Sequence, residues 1–170
     1  MPRFSTPMIA ACAALAASLA PGAPVPARAA SQSDIVGTWG FVSNTANQGG
    51  AIVELFGPGG KGRMMLGPDG RYSIVIVRAD LPKFASGSRF GGTPDDNKAV
   101  VHGSNAHFGS YTVDPAGTTI TFRIEGATFP NWDGAEQKRS FTLKGDELKY
   151  IIPTSTTGSG PGEVVWRRLK

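Results

Sequence analysis

The residue with the most distinctive chemical setting in this sequence is Arg139, within the strand-like segment 137–144 (QKRSFTLK). Successive side chains of a strand point to opposite faces, so alternation places Arg139 on the apolar face, beside Phe141. A buried guanidinium needs an acid, a carbonyl group or a bound anion as its partner. Two interpretations follow: an internal ion pair with Glu125 or Glu54, or an anchor for a carboxylate, phenolate or carbonyl group of a ligand.

A histidine and two tyrosines extend this set of polar groups. His107 and Tyr111 share one face of the segment 107–114, and Tyr150 lies on the same face as Leu148. If these faces point inward, the three polar groups line an apolar cavity, which is typical of small-molecule pockets. The imidazole titrates near neutral pH and could transfer protons. The alternatives are core tyrosines bonded to backbone carbonyls, and an exposed histidine at a strand end.

The segment 127–139 (ATFPNWDGAEQKR) places a tryptophan, Trp132, on a turn. Pro130 makes the turn rigid, and Asn131 and Asp133 can bond the local backbone. We expect this turn to fix the indole over one end of the fold. There the ring is either a plug that completes the core or the wall of a cavity entrance.

The elements that position these residues are strands. After residue 30, helical periodicity is almost absent, and the short runs are rich in Val, Ile, Thr and aromatic residues between turn residues. Tight turns join many of these runs, and closing such a meander into a barrel removes its exposed edges. The sequence therefore predicts an all-β, up-and-down antiparallel barrel. The predicted strands are 35–43, 51–56, 62–66, 71–78, 107–114, 118–125, 137–144, 147–152 and 163–169.

One long connection, residues 79–106, interrupts the meander. Thr93 can cap a short helix within it, and Pro94 suits the first helical position. Connections of this length are usually lids or binding loops. We expect Phe84 and Phe90, together with the turn tryptophan, to form a mobile mouth over the barrel.

Residues 1–30 are expected to be a secretory signal peptide, followed by a single domain over residues 31–170. Arg3 supplies the positive start, 8–20 (MIAACAALAASLA) is apolar, and 27–30 (ARAA) fits a cleavage site. The apolar run is shorter than the ~20 residues that a spanning helix needs. A lipid-attachment box ending at Cys12 is the alternative, but only eleven residues precede that cysteine. Soluble export to the periplasm or the medium is favoured.

Composition excludes several classes of function. The net charge is +4, or +2 once the two arginines of residues 1–30 are removed, and the basic residues are scattered, which is unlike a nucleic-acid-binding domain. The single cysteine lies in the predicted signal peptide, so no disulfide is expected. Two histidines without metal-ligand spacing predict no metal site, and no motif predicts a cofactor. No other apolar run is long enough to span a membrane.

Two patterns carry a family resemblance. Gly37-Thr38-Trp39, with Arg167 and Arg168 near the other terminus, resembles the calycin signature, in which an arginine covers a tryptophan at the closed end of the barrel. The longer series is similar to the bacterial and fungal lipocalin-like domain family over roughly residues 34–168. Its segments are GRYS (70–73), RADLPKF (78–84), FGSYTV (108–113), FPNWDG (129–134) and QKRSF (137–141). The resemblance implies a barrel with an internal cavity, although the family usually has an aromatic residue near position 107.

Three functional hypotheses follow. The first is an exported barrel that binds a small hydrophobic or aromatic molecule bearing an oxygen function, with Arg139, Tyr111 and Tyr150 as polar contacts. The second is a cofactor-independent isomerase, cyclase or lyase, in which His107 or Tyr111 moves a proton while Arg139 stabilises an enolate-like charge. The third is an interaction protein whose barrel is fully packed and has no cavity.

Overall fold

All nine predicted strands form in the computed structural model, which describes Met1 and residues 29–154, 156 and 160–170. The prediction of a signal peptide therefore falls almost entirely outside the described residues. The strands are β1 Gly37–Gln48, β2 Ala51–Glu54, β3 Lys61–Leu66, β4 Arg71–Val77, β5 Ser104–Val113, β6 Thr119–Ala127, β7 Glu136–Lys144, β8 Glu147–Ile152 and β9 Gly162–Arg168.

Antiparallel pairing closes the sheet into a barrel, which confirms the predicted fold class. Each strand from β3 to β8 pairs with the strand that follows it in the chain. Strand β1 pairs with both β3 and β9 and so closes the barrel. Eight strands thus form the wall. Strand β2 pairs with the last residues of β1, from Thr45 opposite Glu54 to Gln48 opposite Ala51, so it extends one side of the barrel as a hairpin.

The prediction for the first strand was wrong at both of its ends. Ile35 belongs to a short helix, α1 Gln32–Ile35, and β1 continues through polar residues to Gln48. Asn and Gln have low intrinsic strand propensity, but this part of β1 has a hydrogen-bonded strand on each side. Pairing on both sides outweighs the weak local preference.

The barrel interior is apolar along most of its length, as strand alternation predicts. Ile120, Phe122 and Ile124 of β6 are buried, while Arg123 and Glu125 between and after them are exposed. Strand β7 buries Arg139 and Phe141 and exposes the residues that alternate with them. The other large buried side chains include Trp39, Met64, Leu66, Ile74, Ile76, Leu148 and Trp166.

A glycine controls the pairing of β5 with β6. The register shifts between Phe108 and Gly109. Gly109 has φ +157°, and a Cβ atom there would lie 2.0 Å from the carbonyl oxygen of Arg123. Only a residue without a side chain allows this close approach. The bulge lies directly beside His107.

One end of the barrel is closed by a tryptophan and an arginine. The Arg168 guanidinium lies 4.2 Å from the centre of the Trp39 ring. It donates to the carbonyl oxygens of Val36 and Asp34 at 2.7 and 2.6 Å, and the Trp39 indole N–H donates to the carbonyl oxygen of Ile35 at 2.9 Å. The expected cation–π contact is thus present and is made by Arg168.

The opposite end carries the two other helical segments. Helix α2, Pro94–Gly103, begins as predicted at Thr93, whose hydroxyl accepts from the Asp96 N–H at 3.2 Å. A 3-10 turn, Pro130–Trp132, follows β6. Among the described residues, no helix combines the length and apolar character that crossing a bilayer requires.

Candidate functional site

A cavity of about 1100 Å³ opens at the end of the barrel that carries α2 and the 3-10 turn. Its deep wall is made by residues of the strands, including Ile74, His107, Arg139, Tyr150 and Val164. Its mouth is bordered by Val100, Val101 and His102 of α2, by Phe129 and Trp132, and by Pro153 and Thr154 after β8. The barrel is therefore hollow, which argues against the hypothesis of a fully packed interior.

Arg139 projects from β7 into this cavity between two aromatic rings. Its guanidinium carbon lies 5.1 Å from the centre of the Phe122 ring and 4.7 Å from the centre of the Tyr150 ring. Only 3% of the residue is exposed. One Nη2–H donates to Oε1 of Gln137 at 2.5 Å, while the buried Nε–H finds no hydrogen-bond partner among the residues that the structure describes.

The predicted internal ion pair of Arg139 is wrong. Glu125 and Glu54 are both exposed, and in the described part of the chain no carboxylate lies within 4 Å of the Arg139 guanidinium. Strand alternation places Glu125 on the outer face of β6, and Glu54 lies on the peripheral strand β2. The cavity wall therefore holds a positive charge whose hydrogen-bonding capacity is only partly used.

His107 is buried beside the arginine, with 3% of its surface exposed. Its Nδ1 atom lies 2.9 Å from the Tyr72 hydroxyl, and its ring meets Trp132 edge to face at 5.5 Å. Burial, and secondarily the positive charge of Arg139, lower the pKa of His107 to about 3. The predictions of an exposed strand-end residue and of titration near neutral pH were therefore wrong, and the ring is neutral at pH 7.

Tyr72 determines which nitrogen of this ring carries the hydrogen. Burial raises the pKa of Tyr72 well above its ordinary value, so the hydroxyl stays protonated. The only acceptor that the described residues offer to this hydroxyl is Nδ1 of His107. Tyr72 therefore donates to Nδ1, and the neutral imidazole carries its hydrogen on Nε2. Sequence reasoning missed Tyr72, although alternation with Ile74 and Ile76 on β4 could have identified it.

Two further polar side chains line the cavity. The Tyr150 hydroxyl makes no hydrogen bond to any described residue, and the buried Asn44 side-chain oxygen has no partner either. Asn44 was missed because the predicted first strand ended one residue before it. An amide and a hydroxyl can each donate or accept, so both are adaptable contacts.

Trp132 lies in the cavity wall at the mouth. Its backbone N–H donates to the Phe129 carbonyl at 3.0 Å, and the Asp133 carboxylate accepts from the Ala127 N–H at 3.0 Å. These bonds make the rigid turn that the segment FPNWD predicted. The indole packs against His107 and Phe129, so it forms part of the entrance wall.

The family model of the lipocalin-like domain matches residues 36–169. The chain belongs to the lipocalin-like domain family. A curated relative, the "4'-hydroxy-3'-methoxypropiophenone carrier protein ppsC" of Aspergillus oryzae, is 26% identical over 106 residues, which cover 57% of this chain and 96% of that protein. Family and relative together support small-molecule binding.

Three predicted site residues of this lipocalin-like barrel do not reach the cavity. Tyr111 is buried nearer the closed end, where its hydroxyl donates to the Gly67 carbonyl at 2.9 Å, as in the alternative of a core tyrosine. Phe84 and Phe90 lie in the long connection outside the cavity lining, and Phe90 is 97% exposed. Residues of α2 and the segment after β8 border the mouth instead.

The charges at the mouth of the lipocalin-like barrel are paired and exposed. Glu136 lies 3.0 Å from Arg123 and 3.6 Å from Lys138, and all three side chains are exposed. Within the described ranges, no group of three His, Cys, Asp or Glu side chains is arranged to hold a metal ion. The electrostatics of the deep cavity are therefore dominated by Arg139.

Proposed function

We propose that this lipocalin-like barrel binds a small hydrophobic or aromatic molecule bearing an oxygen function. The observation that carries the proposal is Arg139, a buried cation in the wall of an open cavity that has no carboxylate partner in the described part of the chain. An unpaired buried donor is destabilising by about 1–3 kcal/mol, and more when it is charged. A ligand oxygen at this position would offset that penalty.

The rest of the cavity suits an aromatic ligand. Phe56, Ile74, Phe129, Trp132 and Val164 provide apolar walls around a small number of polar tips. The volume of about 1100 Å³ is slightly larger than the ~300–1000 Å³ that small-molecule sites commonly have, so a small aromatic molecule fits. The named ligand of the fungal relative is an aromatic ketone with a hydroxyl and a methoxy group, which agrees with this class.

The test is a calorimetric titration with two aromatic probes of similar shape, 4-hydroxyacetophenone and 4-ethyltoluene. We expect the oxygenated probe to bind and the hydrocarbon to bind at least about tenfold more weakly. Arg139→Met should remove most of this difference. Lys144→Gln is the matched control, because Lys144 is an exposed cation on the same strand outside the cavity. The proposal would be refuted if neither of the two probes bound.

The enzymatic alternative, an isomerase, cyclase or lyase without a cofactor, receives less support from the geometry. As a base His107 would accept a proton on a free nitrogen, but Nδ1 accepts from Tyr72 and Nε2 already carries a hydrogen. Tyr111, the other proposed proton carrier, donates to Gly67 away from the cavity. Turnover of a bound aryl ketone that is lost in both His107→Phe and Arg139→Met would favour the enzyme instead.

We also propose that the domain of residues 31–170 is exported to the periplasm or the medium. The proposal rests on the order of charged, apolar and small residues in 1–30. Cell fractionation followed by amino-terminal sequencing should find a soluble product that begins at residue 30 or 31. Membrane association that Cys12→Ser abolishes would instead establish the lipoprotein alternative.

A further inference from the structure

Three polar side chains of the cavity wall surround the buried ring of Phe122. Arg139 and His107 flank Phe122, at 5.1 Å and 6.4 Å from its centre, and Tyr150 approaches the same ring at 6.2 Å. Arg139 contributes its guanidinium, whose Nε–H has no partner among the described residues, His107 contributes Nε2–H, and Tyr150 contributes a hydroxyl that bonds to no described residue. A ligand oxygen in the cavity beside Arg139, His107 and Tyr150 would therefore meet donors from three side chains and one full positive charge.

No acid among the described residues compensates this charge inside the cavity. The nearest acid in the lining is Glu136 at the mouth, which is exposed and already paired with Arg123 and Lys138. Gln137 accepts one hydrogen bond from Arg139 but carries no charge. His107 is neutral, so it supplies a donor without adding a second cation. The charge of Arg139 is thus not balanced by any described side chain of the cavity wall.

We propose that the cavity binds its aromatic ligand as an oxyanion, an aryloxide or an aryl carboxylate, and that Arg139 selects this deprotonated form. The inference rests on the proposed function and restricts its ligands from oxygen-bearing aromatic molecules in general to those that can ionise to an oxyanion. An opposite charge within about 4–6 Å lowers the pKa of an acid by about 1–3 units. In an apolar cavity the attraction is screened less than in water, and a neutral ligand would leave the cation uncompensated.

Two aromatic rings stabilise the buried guanidinium of Arg139 while leaving its charge available to an anionic ligand. The guanidinium lies over the rings of both Phe122 and Tyr150 at about cation–π distance. They fix its position without neutralising its charge. Lysine at this position would keep the charge but lose the planar stacking and the second hydrogen-bonding edge.

The experiment uses 4-nitrophenol, whose phenolate absorbs visible light, and 4-nitroanisole, its methyl ether, which cannot ionise. Both are titrated into the wild-type protein at a pH below the pKa of free 4-nitrophenol. We expect binding to generate the phenolate band and to lower the pKa of the bound phenol by about 1–3 units. We also expect 4-nitroanisole to bind at least about tenfold more weakly.

Two variants locate the effect. Arg139→Met should bind both probes with similar affinity and should not generate the band, whereas Lys144→Gln should behave like the wild type. If Arg139→Met does not fold, the titration of the wild-type protein alone still shows whether the phenolate is the form that binds. Binding of 4-nitrophenol in its neutral form, or equal binding of the two probes, would overturn the selection and leave the proposed function intact. Failure of both probes to bind would overturn the proposed function together with the inference.

Discussion

Each end of the barrel has an arginine that lies over aromatic rings, but the two arginines differ in their other partners. At the closed end, Arg168 lies over Trp39 and donates to two backbone carbonyls, and its charge is 3.8 Å from Asp146. At the open end, Arg139 lies over Phe122 and Tyr150, and among the described residues its Nε–H has no partner and no acid lies within 4 Å of it. Stacking on an aromatic ring is common to both. Completion of the hydrogen bonds distinguishes the structural arginine from the one available to a ligand.

The largest effect that follows from this comparison is on stability. Arg168→Met should lower the free energy of unfolding by about 2–4 kcal/mol, because two carbonyl groups lose a charged donor and Trp39 loses its cover. Arg139→Met should leave stability unchanged or raise it by about 1 kcal/mol, because it removes an uncompensated buried charge. Denaturant unfolding of the two variants measures both effects. Equal losses would remove the distinction between the two ends.

The histidines give a similar contrast in their response to pH. The folded-state pKa of His107 is depressed to about 3, so below pH 6.5 the unfolded chain binds a proton that the native protein does not. Stability should therefore fall as the pH decreases from 6.5 towards 3, by about 1.4 kcal/mol per unit from this group. Between pH 6.5 and 5 the wild type should lose about 2 kcal/mol more than His107→Phe.

The exposed histidine of α2 supplies the control for this measurement. His102→Asn should show the same pH dependence as the wild type, because His102 lies at the surface of the cavity mouth. Stability is measured by denaturant unfolding at each pH. A His107→Phe profile parallel to that of the wild type would mean that the imidazole is not held neutral by burial.

Tyr111 and Tyr150 should differ in the same way as the two arginines, with smaller effects on stability. Tyr111→Phe should lower the free energy of unfolding by about 1 kcal/mol, because the Gly67 carbonyl loses its donor near the closed end. Tyr150→Phe should change stability little, since its hydroxyl has no described partner, but it should weaken binding of an oxygenated probe. Unfolding and calorimetry on the same two proteins separate the roles. A reversed pattern would place the ligand contact at Tyr111.

The smallest expected effect concerns the mouth. Phe90→Ala should change ligand affinity by less than about twofold, because Phe90 is 97% exposed and lies outside the cavity lining. Trp132→Ala should weaken binding by about tenfold or more, because the indole forms the entrance wall. A calorimetric titration of each variant with 4-hydroxyacetophenone provides the measurement. A large effect of Phe90 would mean that the long connection closes over the ligand.

Strand alternation predicted which face a residue occupies, and this was enough for the fold and for the inward direction of Arg139, His107 and Tyr150. It did not predict the height of a residue along the barrel. Tyr111 and Tyr150 both point inward, yet the Tyr111 hydroxyl reaches the Gly67 carbonyl towards the closed end, outside the cavity lining. Height depends on the register between strands, which the pattern of a single strand does not contain.

The remaining differences arise from tertiary contacts. The low pKa of His107 results from coverage by Trp132, Tyr72 and Phe122, which come from three different elements. Asn44 entered the site because pairing on two sides extends β1. The directions of Phe84 and Phe90 depend on the path of the long connection, for which the sequence contains a helix cap but no register. Cooperative features of this kind are not encoded in any local pattern.

Gly109 connects the backbone to this chemistry. A methyl group at that position would meet the Arg123 carbonyl at 2.0 Å, so the two strands would have to separate or slip. A slip by one residue would carry the neighbouring histidine to the opposite face of the sheet. Gly109 should therefore tolerate few substitutions, although it has no side chain and takes no part in recognition. The position of His107 in the pocket wall depends on the absence of a Cβ atom at Gly109.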